Sequence, residues 1–449
     1  MYENKKLEEA KLLVESREYG TLRHCLRELD PIDVAQLIGE LPRQDRAAVF
    51  RMLSKNQAVQ VFSELDPEDI QLIVSVTGEE ELADMFEHLP TDDAVDVLEE
   101  MPAGVVKRIL RGTNTQTRTQ INRYLHYPEN SAGRIMTASF VELKADMTVK
   151  QAIDHIRKDG EQQDHLDNCY VIGPERELLG SVTIKEILLA SDSWKIKALM
   201  DDTPVYTDTH ENQEQAALLL ARYDLSALPV VDGETRLVGV ITVDDALEVL
   251  EEETTKDLEQ MAAMTPSHSQ YLKTSVWSLA KNRVVWLLVL MFSAMVTGAI
   301  LTRYEAAFAA MPVLVSFIPM ITDTGGNAGS QSSTMVIRGM GLGEIAPRDG
   351  LRVLWKELRV SLLVGAVLAL ANFLRLYITY PGQMTVAFVV SASLLFTVVM
   401  AKCVGGILPV LAKLCKVDPA VMAAPLITTV VDACALMIYF SIAQRLLGV

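Results

Sequence analysis

The sequence predicts a multidomain membrane protein built from an acidic α-solenoid, a tandem pair of α/β repeats and an all-α transmembrane domain. Three observations carry that prediction. The charge is split: residues 1–275 hold 28 Lys/Arg against 52 Asp/Glu, and residues 276–449 hold 13 against 7. Uncharged runs of membrane-crossing length occur only in the second part. Two patterns repeat in the first part, one within residues 29–110 and one within 136–253. At 449 residues the chain is too long for one ordinary domain. The boundaries read as 1–130 for the solenoid, 131–252 for the repeat pair (about 131–197 and 198–252), 253–280 for a connecting helix and 281–449 for five membrane helices.

Within the solenoid, Leu29-Asp30-Pro31 returns as Leu65-Asp66-Pro67, and Leu89-Pro90-Thr91-Asp92-Asp93 opens a similar unit that closes at Met101-Pro102. Asp or Thr ahead of an acidic first turn caps a helix start, and Leu-Pro or Met-Pro ends one. Short capped helices at that spacing stack as a solenoid. Asp92 and Asp96 fall one turn apart with Asp93 beside them, and like charges so spaced repel. A second acidic group, Asp244, Asp245, Glu248, Glu251, Glu252 and Glu253, follows the second α/β repeat. Each cluster alone reads as a solvated face. Together, in a half with a net charge of −24, they read as facing surfaces that repel until divalent cations fill the gap.

The α/β repeats match as Ile135-Met136 with Leu199-Met200, and Cys169-Tyr170-Val171-Ile172 with Leu228-Pro229-Val230-Val231. Each reads strand, helix, strand, strand, helix. The pattern resembles a pair of CBS domains, which implies a pseudo-symmetric β-α-β-β-α pair and an adenine-nucleotide site. Gly239-Val240-Ile241-Thr242-Val243-Asp244-Asp245 keeps that family's ribose-binding run, whereas Thr183-Ile184-Lys185-Glu186 departs from it. Tyr170, Thr242 and Asp245 are the ATP-binding candidates; capping of the following helix is the alternative for Thr242 and Asp245.

In the membrane half, residues 284–302 form a 19-residue uncharged run, enough to cross about 30 Å of hydrocarbon. A second span is expected from Ala306 to Ile337, interrupted at Thr324-Gly325-Gly326-Asn327, with further spans near 358–377, 385–411 and 420–444. Basic residues gather before the first span (Lys273, Lys281, Arg283), between the second and third (Arg338 to Arg359) and at Lys413 and Lys416, which predicts a cytoplasmic N-terminus and an extracytoplasmic C-terminus. Asp432 lies near the middle of the fifth span, where an unpaired carboxylate costs about 2.5–3.5 kcal/mol. Paired glycines unwind a helix only where the freed backbone is buried or lines a watery cavity; close helix packing through small residues is the alternative. With the carboxylates counted, a pore is the favoured reading, lined by Gly325, Gly326, Asn327, Gln331, Thr428 and Asp432. All seven histidines precede the first span, so oxygen ligands remain and a hard, hydrated cation such as magnesium suits them. The five cysteines form no C-x-x-C pair and imply no zinc site or disulfide framework. The negative half makes nucleic-acid binding unlikely, and no Walker loop is present for an ATP-driven pump.

The order of parts, with Pro319 ahead of Gly325-Gly326-Asn327-x-Gly329-x-Gln331 and Asp418-Pro419-Ala420 ahead of Pro425 and Asp432, resembles the MgtE family of bacterial magnesium channels over essentially the whole chain. That resemblance implies a homodimer in the inner membrane with a pore between subunits, hydrated magnesium held at Asp432, and no catalytic chemistry. It implies that the 253–275 helix plugs the pore when cytosolic magnesium bridges the N-terminal and CBS domains, the regulatory ligands being Asp92, Asp93, Asp96, Asp244, Asp245, Glu248, Glu251, Glu252, Asp257 and Asp418. Ala424 stands where some relatives carry a polar side chain. A secondary transporter of manganese or cobalt, or a non-conducting magnesium or nucleotide sensor, are the alternatives.

Overall fold

The computed structural model describes residues 3–99, 101–159, 166–267, 271–272, 274–305, 311–422 and 424–448. The chain divides into two compact units, residues 1–250 and 251–449.

The first unit opens with a run of short helices: α1 (Glu3–Glu15), α2 (Tyr19–Glu28), α3 (Pro31–Glu40), α4 (Arg43–Phe50), α5 (Lys55–Ser63), α6 (Pro67–Val76), α7 (Glu79–His88), α8 (Thr91–Glu99), α9 (Ala103–Gly112) and α10 (Thr115–Tyr124). Their limits follow from the repeated dipeptides. Asp30 accepts from the Ile32 amide at 3.1 Å while Pro31 occupies the first turn, where a missing N–H costs nothing. Leu41 and Leu89 turn extended just before Pro42 and Pro90, as the proline ring demands of its predecessor. Helices two apart in sequence stack, α3 on α5, α4 on α6, α5 on α7 and α7 on α9. Between α4 and α6, Arg46 Nη1 meets the buried Asp69 Oδ1 at 2.6 Å and Arg46 Nε donates to Leu41 O. Leu37, Ile38, Phe62, Phe86 and Leu98 fill the core.

After α11 (Ala132–Ile135) come two three-stranded sheets of the same topology. In the first, β1 (Val141–Lys144) pairs parallel with β2 (Asn168–Ile172), which pairs antiparallel with β3 (Leu178–Thr183). The second repeats this with β4 (Thr207–Asp208), β5 (Ala227–Val231) and β6 (Leu237–Thr242). The parallel pairs need a crossover helix, and α12 (Val149–Asp159) and α14 (Gln213–Arg222) supply it; α13 (Ile184–Leu189) and α15 (Val243–Met261) close the repeats. The sheets meet through equivalent strands: Asn168 Nδ2 donates to Ser226 Oγ at 2.8 Å and Tyr170 Oη to Ala227 O at 3.3 Å.

The second unit holds the rest of α15 and five long helices: α16 (Val276–Arg303), α17 (Ile318–Gly341), α18 (Gly350–Thr379), α19 (Met384–Leu414) and α20 (Ala424–Leu447). The helices within Val276–Arg303, Pro347–Thr379, Met384–Leu414 and Pro419–Leu447 are long and apolar enough to cross a membrane. With 24 residues, α17 is about 36 Å long and also sufficient in length, but too polar for that class. It lies between α19 and α20, and α16 packs on α20 while burying none of its own residues.

Three expectations change. The helix is unbroken through Thr324-Gly325-Gly326-Asn327, because the glycines serve packing rather than unwinding. A Cβ on Gly325 would stand 2.7 Å from Thr397 Cγ2, one on Gly326 2.9 Å from Thr428 Cγ2, and one on Gly329 2.8 Å from Ile427 Cγ2. The connecting helix does not run to residue 275: α15 ends at Met261, Ala263 turns with a φ of 53°, and the Thr265 amide donates to Asn282 O, so the segment folds back onto α16. The first span begins at Val276 rather than 284, with Lys281 and Arg283 inside the helix. The predicted start of the second span, Ala306, and the side chain of Ala424 lie outside the described residues.

The tightest approach is at Gly405, where a Cβ would sit 2.1 Å from the backbone oxygen of Gly329. Neither backbone can yield without separating α17 from α19, and overpacking of this kind costs about 1–3 kcal/mol. Gly405→Ala is therefore expected to lower the apparent Tm of the detergent-solubilised protein by several degrees, whereas Gly298→Ala, with open space around it, should leave it unchanged. Thermal unfolding followed by intrinsic fluorescence checks both.

Candidate functional site

The first unit carries one acidic site. The first two turns of α8 and α15 bring Asp92, Asp93 and Asp96 against Asp245 and Glu248, and both helices contribute to one apolar core through Ala94, Val95, Ala246 and Val249. Helical spacing explains the arrangement, since the residues between the acids are the apolar ones that pin each helix down. Asp92 is 8% exposed and its Oδ1 has no hydrogen-bond partner. Burial, then Asp245, hold its carboxyl well above the ordinary carboxylate range. Burial and Asp245, with Glu64 and Glu248, push Asp93 up to about 6. Burial, then Asp93 and Glu248, push Asp96 up to about 7 against the opposing pull of the Arg134 guanidinium, although its side chain keeps an exposed edge. Carboxylates raised first by burial and then by one another form a site short of positive charge. Among the described residues no three His, Cys, Asp or Glu side chains converge as direct metal ligands.

The other predicted ligands are dispersed. Asp244 lies exposed in the first turn of α15, and Glu251 and Glu252 are exposed further along it. Asp257 is half-buried, and burial together with Asp418 and Glu253 raises its carboxyl, Lys256 and Arg338 acting against them. Asp418 is exposed and caps the short turn of Pro419–Met422 through the Ala420 amide at 2.9 Å. Close by, Met261 packs with Ile337 and Ala420.

The nucleotide candidates offer no open donor set. Tyr170 is 2% exposed, with its ring edge-on to Phe140 and its hydroxyl on Ala227 O. Thr242 is buried; its hydroxyl donates to Asp245 Oδ2 at 2.5 Å and accepts from the Asp245 amide at 3.4 Å. That is a helix cap, the alternative the sequence allowed.

The second unit carries a polar stripe. Asp323, Asn327 and Gln331 recur every four residues along α17 and are all exposed, while Gly325, Gly326, Ala328 and Gly329 between them are buried. Asp432 on α20 is half-buried, within electrostatic reach of Asp323. Thr428 is half-buried one turn earlier, with its hydroxyl committed to Pro425 O at 2.9 Å. Of the predicted lining residues, Asn327, Gln331 and Asp432 thus share an open polar region, whereas Gly325 and Gly326 face inward. Asp323, Glu64, Glu357 and Lys402 are further charged groups near these sites. The four-residue spacing from Asn327 back to Asp323 was the readable signal; Glu64 and Glu357 gave none, because their roles depend on which helices touch.

Residues 318–442 match the family model described as a divalent cation transporter, MgtE; residues 29–130 match the MgtE intracellular N domain, and residues 132–193 and 196–252 match CBS domains. The chain is 35% identical over 430 residues to the magnesium transporter MgtE of Thermus thermophilus, covering 95% of each chain. It is 30% identical over 432 residues to that of Bacillus subtilis, covering 96% of this chain and 95% of the relative. A crystal structure of the cytosolic domain of the Mg2+ channel MgtE in complex with ATP aligns with a TM-score of 0.51 at 32% identity, over 54% of this chain and 99% of that one. The soluble part of a magnesium transporter aligns with a TM-score of 0.53 at 23% identity, over 56% of this chain and 99% of that one. The polar, glycine-packed α17 and the acidic α8 fall within the matched regions, and the chain belongs to the MgtE family.

Proposed function

We propose that this protein is a homodimeric, magnesium-selective channel of the bacterial inner membrane, closed by cytosolic magnesium. The observation that carries the reading is the exposed stripe Asp323, Asn327, Gln331 beside Asp432. Such a stripe cannot face lipid, since charged and amide groups at membrane depth are stable only against water or other polar groups. A second copy of the chain placed against α17 and α20 would enclose it as an aqueous path. Oxygen-rich and without imidazole, that path suits a hard cation which keeps its water. Magnesium is the substrate there, and the conductive route needs no chemical step.

Gating rests on the acidic site of the first unit. With α8 apposed to α15, one Asp92 oxygen has no hydrogen-bond partner and Asp93 and Asp96 are raised to about 6 and about 7, so the apposed arrangement is stabilised by whatever positive charge is available. Hydrated magnesium supplies it when abundant; when magnesium is scarce, repulsion separates α8 from α15. Several weak ions add to one decisive shift, because each contributes its differential affinity for the two arrangements. In the second unit, the end of α15, with Asp257, Met261 and Asp418 near Arg338 and Ile337, is where such a shift would reach the membrane helices. ATP at the CBS pair is no part of this route.

Two outcomes are expected. Asp432→Ala should abolish magnesium uptake into proteoliposomes while leaving assembly intact, and Asp432→Glu should behave alike because its longer arm displaces the hydrated ion; wild-type uptake by the alanine variant removes Asp432 from the mechanism. The second concerns pH. Carboxyls raised to about 6 and about 7 in the apposed state mean that this state binds extra protons, so its stability falls as pH rises through those values and is regained on acidification. Without magnesium, tryptic cleavage at the buried Arg134, taken relative to cleavage of an unstructured reference peptide at the same pH, should be fast at pH 8 and slow at pH 5.5; millimolar magnesium should slow it at pH 8. Replacing Asp92, Asp96, Asp245 and Glu248 by Asn or Gln should erase both dependences. If the neutralised variant responds to magnesium and pH as wild type does, the gate lies elsewhere.

A further inference from the structure

Lys402 is the buried cation of the second unit among the described residues. It is 5% exposed on α19, within an otherwise uncharged helix face. A buried ammonium is tolerated only when paired and hydrogen-bonded, and its partners are specific. Lys402 Nζ lies 3.4 Å from Ser332 Oγ and 3.5 Å from Gln331 Oε1, both on α17. Ser332 Oγ in turn donates to Glu357 Oε2 on α18 at 2.6 Å. The direction of this chain is fixed by chemistry. An ammonium only donates, so the serine oxygen accepts from Lys402 and spends its single proton on Glu357. Glu357 thereby balances the lysine charge through a neutral relay that joins three helices.

The same rule fixes Gln331. The atom facing Lys402 must be the carboxamide oxygen, which leaves the amide nitrogen turned away from it, and Gln331 is exposed on the stripe with Asp323 and Asn327. We propose that Lys402, anchored through Ser332 by Glu357, is a positioning residue for permeation that withholds the Gln331 oxygen from the cation path. The N–H donors left on the path neither ligate a cation nor accept from the outward-pointing protons of its water shell. A hydrated ion therefore passes this level without settling, and the carboxylates remain its only holding points. Conduction requires such places, because binding strong at every level traps the ion.

The inference rests on the channel reading, and one experiment separates their failures. Magnesium uptake by proteoliposomes of the full-length protein is measured against external magnesium concentration. Lys402→Met alone leaves the half-buried Glu357 without its counter-charge, so the informative variant is Lys402→Met with Glu357→Gln, which removes both charges together. Freed from Lys402, the Gln331 oxygen can turn to the path and hold the ion, so the half-saturating concentration should fall several-fold together with the maximal rate. In a Gln331→Met background the same double substitution should not move half-saturation. A merely structural role would lower the rate and leave half-saturation where it was. An unchanged half-saturation in the double variant, or the same shift in the Gln331→Met background, overturns the inference while the channel reading stands. Absence of magnesium-dependent uptake in wild type overturns both.

Discussion

Carboxylates crowded together away from bulk water must find positive charge, and both candidate sites are organised around that constraint. At the junction of α8 and α15 the acids outnumber their cations, with Arg134 the main counterweight, and the shortfall appears as raised proton affinity and an orphaned Asp92 oxygen. Along α17 and α20, Asp323 and Asp432 stand within reach of one another without a basic partner on the stripe. The one buried ammonium nearby, Lys402, is instead neutralised by Glu357 behind α17. On the proposed reading, a mobile cation is the partner for both places, as regulator in one and as cargo in the other.

The helix packing serves that arrangement. Gly325, Gly326 and Gly329 let α17 lie against α19 and α20 at distances that a methyl group would forbid. Close approach on that side leaves the opposite side of α17 for polar residues, four positions apart. The glycine run is therefore a packing device with a functional consequence: it turns Asp323, Asn327 and Gln331 outward without breaking a backbone hydrogen bond. Small residues at membrane helix contacts act in this way because lipid supplies no hydrophobic drive between helices.

Much of this was legible from residues alone. Caps and Leu-Pro stops marked the helices of the first unit, and the doubled strand pattern fixed two sheets whose pairing follows from parallel strands needing a crossover. The acidic clusters on α8 and α15 were readable because helical spacing put them on one face. The misreadings share a cause. A Gly-Gly pair is equally consistent with unwinding and with close contact, and only the neighbours Thr397, Thr428 and Ile427 decide between them. In the Gly239 to Asp245 run, the ribose candidates Thr242 and Asp245 also cap α15. Glu357 and Lys402, far apart in sequence, carried no pattern at all, because their relation exists only through Ser332 on a third helix.

The central claim is that the stripe on α17 borders a water-filled cation path. Reactivity of a cysteine placed on it tests this most directly. In a background with the five native cysteines replaced by alanine, Asn327→Cys should react with a charged, water-soluble thiol reagent and be protected by magnesium. Leu363→Cys, on a side chain 73% exposed on α18, should stay unreactive in the lipid. An inert Asn327→Cys, or one that reacts equally fast with and without magnesium, would contradict the account.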